Sequence, residues 1–218
     1  MKNSLRKRIP RELKGEFGKY LVVFLLMVLT IGFVSGFLVA GKSMIATYDE
    51  SFDKYNIENG NFEYKDEASS EVKRAIEDEG VKLYENYYYE KIVEKDGDES
   101  TLRIFKNRTA VDKICLMEGA FPASEDEIAI DRMYADNNNY QVGQTIKVGK
   151  KKLKITGFVA LSDYSALFSK NSDLMFDSVK FGVGIVSKEE FKSFKDAKIY
   201  YNYAWTYNED VDNEVNAS

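Results

Sequence analysis

Residues 20–43, YLVVFLLMVLTIGFVSGFLVAGKS, decide how the rest of the chain is read. Their last part, GFLVAGKS (residues 36–43), matches G-x-x-x-x-G-K-[ST], the loop that cradles nucleotide phosphates. A working loop of that kind follows a strand, and its backbone N–H groups are free to face the phosphate. Here no charged residue occurs from Tyr20 through Gly41. As a helix these 22 residues rise ~33 Å, enough to cross the hydrocarbon core of a bilayer. Apolar side chains cover every side of it, unlike the single stripe of a core helix. Its amides must then bond within the helix, because unpaired backbone is too costly in lipid. The phosphate-loop match is therefore read as a coincidence at the outer end of a transmembrane helix. Lys42 ends the span and reaches for the interface.

Charge orients the helix. Lys2, Arg6, Lys7, Arg8, Arg11, Lys14 and Lys19 precede it, against Glu12 and Glu16, so the flank carries 7 − 2 = +5. The whole chain is −5, which leaves −5 − 5 = −10 for residues 42–218. Basic residues crowd the cytoplasmic flank of membrane helices. The expected localisation is the cell membrane, with the N-terminus cytoplasmic and residues 42–218 extracytoplasmic. A cleaved signal peptide is the competing reading, but its apolar region is normally shorter and its basic segment free of acids.

Four segments follow. Residues 1–19 are a cytoplasmic basic segment, in which Ile9, Leu13 and Phe17 share a face and predict a helix lying among lipid headgroups. Residues 20–41 are the span. Gly32, Gly36 and Ala40, four apart, form a small-residue stripe where another membrane helix can pack. Residues 42–60 continue outward as a stalk helix. Ile45, Tyr48, Phe52 and Tyr55 recur at helical spacing and predict its contacts with the outer domain, and Gly60 predicts its stop. Residues 61–218 are long enough for a domain with its own core.

Within that domain hairpins alternate with short helices. Strands are predicted at 61–65, 127–131, 181–187 and 197–207, and helices at 69–80, 131–139 and 188–196. Hairpins are predicted over 81–107, turning at Asp96-Gly97, and over 144–161, turning at Gly149. This pattern predicts an α+β fold of mostly antiparallel sheets with separate helices. In YENYYYEK (84–91), Tyr87 and Tyr89 face one way and Tyr84, Asn86 and Tyr88 the other, which predicts one core face and one half-exposed face.

Composition excludes several chemistries. There is no histidine, which removes His-ligated zinc and the Ser–His and Cys–His nucleophile systems. The one cysteine, Cys115, allows no intrachain disulfide, and in KICLM it reads as a small core residue. The acids of SEDEIAID (124–131) lack the frame of an EF-hand and read as a solvated turn entering a strand. An acidic exterior disfavours nucleic acid. The lysines at 147, 150, 151, 152 and 154 read as charge protecting a hairpin edge. Asn107 and Asn216 begin glycosylation sequons. No catalytic, cofactor-binding or metal-binding group can be assembled, so the chain is not expected to be an enzyme.

Three stretches together resemble an FtsX/MacB-like ABC-transporter permease of the large Firmicutes type. They are RELKGEFGKYLVVFLLMVLTIGFVSG (11–36), LMEGAFPASEDEIAIDRMYADNN (116–138) and LSDYSALFSKNSDLMFDSVKFGVGIVSKEEF (161–191). The resemblance implies a membrane helix followed by a MacB-like periplasmic core domain, here incomplete, with later membrane helices after Ser218. It implies an ABC ATPase subunit that binds the ATP, a second permease copy or half, and membrane lipid as partners. The implied function is mechanotransmission or efflux, in which ATP-driven closure moves the outer domain. The alternative is the sensory or ligand-binding ectodomain of a single-span receptor.

Overall fold

The computed structural model describes residues 14–169, 173–194 and 197–208. The basic segment as far as Leu13 and the sequon at Asn216 lie outside them. The chain divides into two compact units, Met1–Glu50 and Ser51–Ser218.

The first unit is dominated by helix α1, Phe17–Tyr55, whose span is long and apolar enough to cross a membrane. GFLVAGKS lies wholly within α1, with no strand before it. Its amides are therefore spent on helical bonds. Lys42→Ala is expected to leave nucleotide binding by the purified chain unchanged. Saturable, magnesium-dependent ATP binding lost in that variant is the contrary outcome. Gly32 and Gly36 lie in the helix with open space around the position a Cβ would take, and Ala40 is exposed beside them.

The second unit is α+β. Its described strands are β1 (Gly60–Tyr64), β2 (Val81–Glu85), β3 (Tyr88–Lys95), β4 (Asp98–Lys106), β5 (Cys115–Gly119), β6 (Glu127–Asp131), β7 (Thr145–Val148), β8 (Lys151–Ala160), β9 (Phe181–Val186) and β10 (Ile199–Tyr207). Its helices are α2 (Ser70–Glu77), α3 (Arg132–Asn137) and α4 (Lys188–Ser193). Each helix begins at a side chain that accepts an otherwise orphaned N–H: Ser69 from Val72, Asp131 from Tyr134, and Ser187 from Glu190. Ser187 and Glu190 have the spacing of a capping box.

Six strands close into a ring. β3 pairs with β4, β4 with β9, β9 with β6, β6 with β8, and β8 with β7. A single pairing, Val93 opposite Val148, joins β7 back to β3. The β4–β9 and β6–β8 pairs are parallel, and the other pairings among the described strands are antiparallel. β9 is buried along its whole length, as a strand flanked on both edges and covered on both faces should be. Leu102, Ile104, Ile128, Ile130, Val183 and Ile185 have no exposed surface and anchor the core. A second, smaller sheet has β10 between β1 and β2.

The structure changes several local expectations. The strand predicted over 81–95 is interrupted between Glu85 and Tyr88. Its register against β10 nonetheless holds across the break, since Glu85 lies opposite Tyr203 and Tyr88 opposite Tyr200. The tyrosine faces alternate as predicted, but each holds one buried tyrosine, Tyr88 or Tyr89, while Tyr84 and Tyr87 are half-buried. Tyr88 stacks on Tyr200, while Tyr89 packs against Phe191 and Phe194 beside α4. Cys115 is not a core residue. It is half-buried at the start of β5, a strand the sequence reading omitted. Among the described residues that strand pairs with β8 alone, and Leu116 and Met117 are exposed. The stalk ends at Tyr55 rather than at Gly60. Gly60 instead begins β1, where an added Cβ would lie 2.9 Å from the Trp205 ring.

The acidic turn forms as predicted. Glu127 accepts from the N–H groups of Ala123 and Ser124, and Asp131 caps α3. Of the hairpin lysines, Lys147 pairs with Glu94 at the surface. Lys151 instead ties the hairpin to α4, through Glu190 at 2.6 Å.

Candidate functional site: the foot of helix α1

The second unit holds the last residues of α1 by a compact polar junction. Asn56 adopts φ +48°, the left-handed conformation that closes many helices. The N–H of Ile57 reaches back to the carbonyl of Phe52 at 3.2 Å, the long bond of a Schellman turn. Asparagine serves here where glycine is commoner, because its short polar side chain tolerates this backbone. Its own Nδ2 donates to the Ala110 carbonyl at 2.6 Å.

The carbonyls at a helix end need donors from elsewhere. Those of Tyr55 and Asn56 receive them from Lys113 and Asp112, at 2.8 and 2.9 Å. The Asp112 side chain returns the bond, its Oδ1 accepting from the N–H of Glu58 at 2.9 Å. Asp112 itself has φ +45° and is fully buried. Loop 107–114 thus holds the helix end by backbone bonds from its own N–H groups, and by return bonds through the Asn56 and Asp112 side chains.

A buried ion cluster fixes that loop. Arg108 makes a bidentate pair with Asp163, Nη1 to Oδ2 at 2.8 Å and Nη2 to Oδ1 at 3.0 Å. Asp112 Oδ2 lies 3.6 Å from the same Nη1 and accepts from Asn86 Nδ2 at 3.2 Å. The guanidinium also sits over the Phe105 ring, 4.8 Å from its centroid. Burial alone would favour the neutral guanidine, but Asp163 and Asp112 outweigh it and hold Arg108 charged. Burial, then Asp163, raises the Asp112 carboxyl above the usual range. Burial, then Asp112, pushes Glu58 up to about 8. Asn61 donates to Glu58 Oε1 from the start of β1.

The cluster extends one step further. Asp163 and Tyr164 belong to a 3-10 turn, Ser162–Tyr164. The Tyr164 hydroxyl accepts from Arg103 Nη1 at 2.9 Å. Arg103 also grips Glu90 and the Ser169 carbonyl. Beside the junction lies an open cleft of about 460 Å³, lined by Lys73, Tyr84, Glu85, Asn86, Lys106 and Thr109 among others. Lys73 is paired with Glu85 at 2.7 Å. Asn107, which begins the first sequon, is on the cleft rim.

The predicted stalk residues fall unequally about this junction. Tyr55 and Phe52 are half-buried, whereas Ile45 and Tyr48 are exposed. A side-chain hydrogen bond with Cys115, then burial, raises the Tyr55 phenol. Sequence reasoning missed Arg108, Asp112, Asp163 and Glu58. The available signal was a run in which charges four apart, Arg108 and Asp112, interleave with Val111 and Ile114. Among the described residues no group of three or more acidic or cysteine side chains could hold a metal ion.

No protein-family profile and no curated protein matches the sequence. Among solved structures, the extracellular domain of the noncanonic ABC-type transporter YknZ from Gram-positive bacteria is similar at 11% identity. The match covers 71% of this chain and 84% of that one, with a TM-score of 0.43. The periplasmic region of MacB from Actinobacillus actinomycetemcomitans is similar at 12% identity, over 62% of this chain and 60% of that one, with a TM-score of 0.38.

Proposed function

We propose that this chain is the N-terminal part of an ABC-transporter permease subunit. It works with an ABC ATPase subunit and a second permease copy or half, and couples cytoplasmic ATP hydrolysis to movement of the outer domain. Helix α1 crosses the membrane from a cytoplasmic N-terminus, and Gly32, Gly36 and Ala40 face another membrane helix. The observation that carries this reading is the helix foot, where the carbonyls of Tyr55 and Asn56 are bonded to loop 107–114. α1 runs unbroken from Phe17 to Tyr55. A helix is stiff along its axis while its backbone bonds hold, so a tilt in the membrane is delivered to that foot.

A second observation supports an insert between membrane helices. The chain leaves the second unit's sheet beside the point where it enters. Asn59 donates its N–H to the Trp205 carbonyl at 2.9 Å, and its Oδ1 accepts from Tyr207 at 3.1 Å. Adjacent ends let a domain be inserted into a host chain with little disturbance.

The test is a break in the helix between span and foot. Thr47 bonds its hydroxyl to the Ser43 carbonyl at 2.8 Å. Proline there removes a backbone bond and clashes with the preceding turn, at a cost of ~3 kcal/mol. In the full-length permease, Thr47→Pro is expected to leave ATP hydrolysis largely intact and abolish its coupling to transport. Thr47→Ala is expected to do neither. ATPase rate and transport output on the same preparations decide it: a folded proline variant that stays fully coupled refutes transmission through α1.

A further inference from the structure

We infer that the outer face of the β7–β8 hairpin is a binding site for a linear phosphate polyanion, held by the ammonium groups of Lys147, Lys150, Lys152 and Lys154. Register sets three of them on one face. Lys147 lies directly opposite Lys152, and Lys154 opposite Thr145. These side chains are exposed, whereas Ile146, Val148, Leu153 and Ile155 between them are buried. Lys150 is exposed in the turn that joins the strands. The lysines form a stripe two strands wide, about 5 Å across and ~13 Å long from Lys154 to the turn.

Like charges directly opposite each other on a sheet are destabilising. The ion pairs of this hairpin among the described residues are Lys147 with Glu94, and Lys151 with Glu190 on the other face. Lys150, Lys152 and Lys154 are left unpaired. Protection of a free edge does not account for them, because the hairpin has a neighbour on either side. β7 is joined to β3 at Val148, and β8 to β6 from Lys154 onward. An anion laid between the lysines turns their repulsion into attraction.

The shape and chemistry of the stripe select the ligand. Acids border it on both sides. Glu94 stands beside Lys147, while Glu127 lies opposite Lys154 on β6, after the exposed Glu125 and Asp126. Residues 42–218 are also net negative. A flat anionic bilayer brought against this face meets those acids, whereas a single flexible chain can follow the stripe between them. Lysine binds phosphate as a compact point charge, and no arginine stands on the stripe to fork onto a carboxylate. No aromatic side chain stands there to stack a base, so the polymer is held by its phosphates alone.

The test uses the full chain in phosphatidylcholine nanodiscs, its lysines carbon-13 methylated, a change that keeps their charge. Inorganic polyphosphate is the probe. Reading single lysines keeps the result apart from the basic residues before the span. The methyl resonances of Lys150, Lys152 and Lys154 are expected to move together. That of Lys82, exposed on β2 in the other sheet, is expected to stay fixed. The affinity read from Lys150 is expected to fall ~100-fold between about 50 and about 200 mM salt, as four phosphate contacts imply. In Lys152→Gln/Lys154→Gln that fall is expected to shrink to ~10-fold, with weaker binding at the lower salt. The double variant is expected to fold, because it removes the repulsion between Lys152 and Lys147. An unchanged salt dependence in that variant, or a Lys82 shift equal to those on the stripe, overturns the site. So does a stripe that answers phosphatidylglycerol vesicles and not polyphosphate, which makes its ligand a bilayer.

Discussion

Replacing Arg108 by methionine is expected to destabilise the domain by ~3–5 kcal/mol, the usual cost of removing one partner from a buried ion pair. The Arg108 side chain is only 3% exposed, and its partners Asp163 and Asp112 are 10% and 0% exposed. Methionine fills much of the same space and keeps the contact with Phe105, so most of the loss is electrostatic. It leaves two buried carboxylates facing a third group, Glu58, with no cation between them. The loss is expected to ease at low pH, where those carboxylates take up protons. Lys147→Met is the control, because its pair with Glu94 is half-exposed on both sides. Such a pair is worth ~0–1 kcal/mol. Denaturant melts of both variants near neutral pH check the difference. Equal effects would mean that the cluster at the helix foot does not hold loop 107–114.

The other large effect lies in the ring. Tyr134 is fully buried, bonds its hydroxyl to Ser100 at 2.7 Å and stacks against Tyr140. Its ring lies across Gly182 in β9, where an added Cβ would sit 2.3 Å from Tyr134 Cγ. β9 is held on both edges by β4 and β6, so it cannot move aside. Tyr134→Ala is expected to cost ~3–5 kcal/mol, as removal of a buried aromatic does. Gly182→Ala is expected to cost ~1–3 kcal/mol through overpacking. The double variant is expected to cost less than the sum, because truncating Tyr134 vacates the space the new methyl needs. Chemical melts of the four proteins in the cycle measure the coupling. Strict additivity would mean that Gly182 is small for some reason other than Tyr134.

Much of this fold is legible from residue pattern because the signals are local. The charge-free run at Tyr20–Gly41, the Asp96-Gly97 turn, the Ser187 cap and the alternating β8 each act over a few residues. The helix stop was misplaced because two candidates compete. Gly60 carries the stronger left-handed preference, but Asn56 has the donors of loop 107–114 within reach. β5 escaped because CLMEG is short and its exposed Leu116 and Met117 conceal any alternation. Closure of the ring is not a local property at all. It depends on one pairing between Val93 and Val148, and on a parallel pair, β4 with β9, that no turn specifies. The junction is the least legible part. Glu58 and Asp163 are 163 − 58 = 105 residues apart, and nothing in either neighbourhood announces the other. Buried charge pairing between distant segments leaves no periodic trace, whereas apolar burial does.

The pairing of β1 with β10 also fixes an order of events during synthesis. Gly60 lies opposite Trp205, so β1 waits for 205 − 60 = 145 further residues before its partner exists. At ~5–20 residues per second the ribosome takes ~7–30 s to supply it. During that interval the first strand has no hydrogen-bonding neighbour, while the apolar helix preceding it is already available to the membrane. An unpaired strand edge invites association with other chains. The sequence of β1 limits that hazard, since GNFEY carries a glycine, an asparagine and an acid among its five residues. The nascent chain thus carries β1 unpaired until β10 arrives.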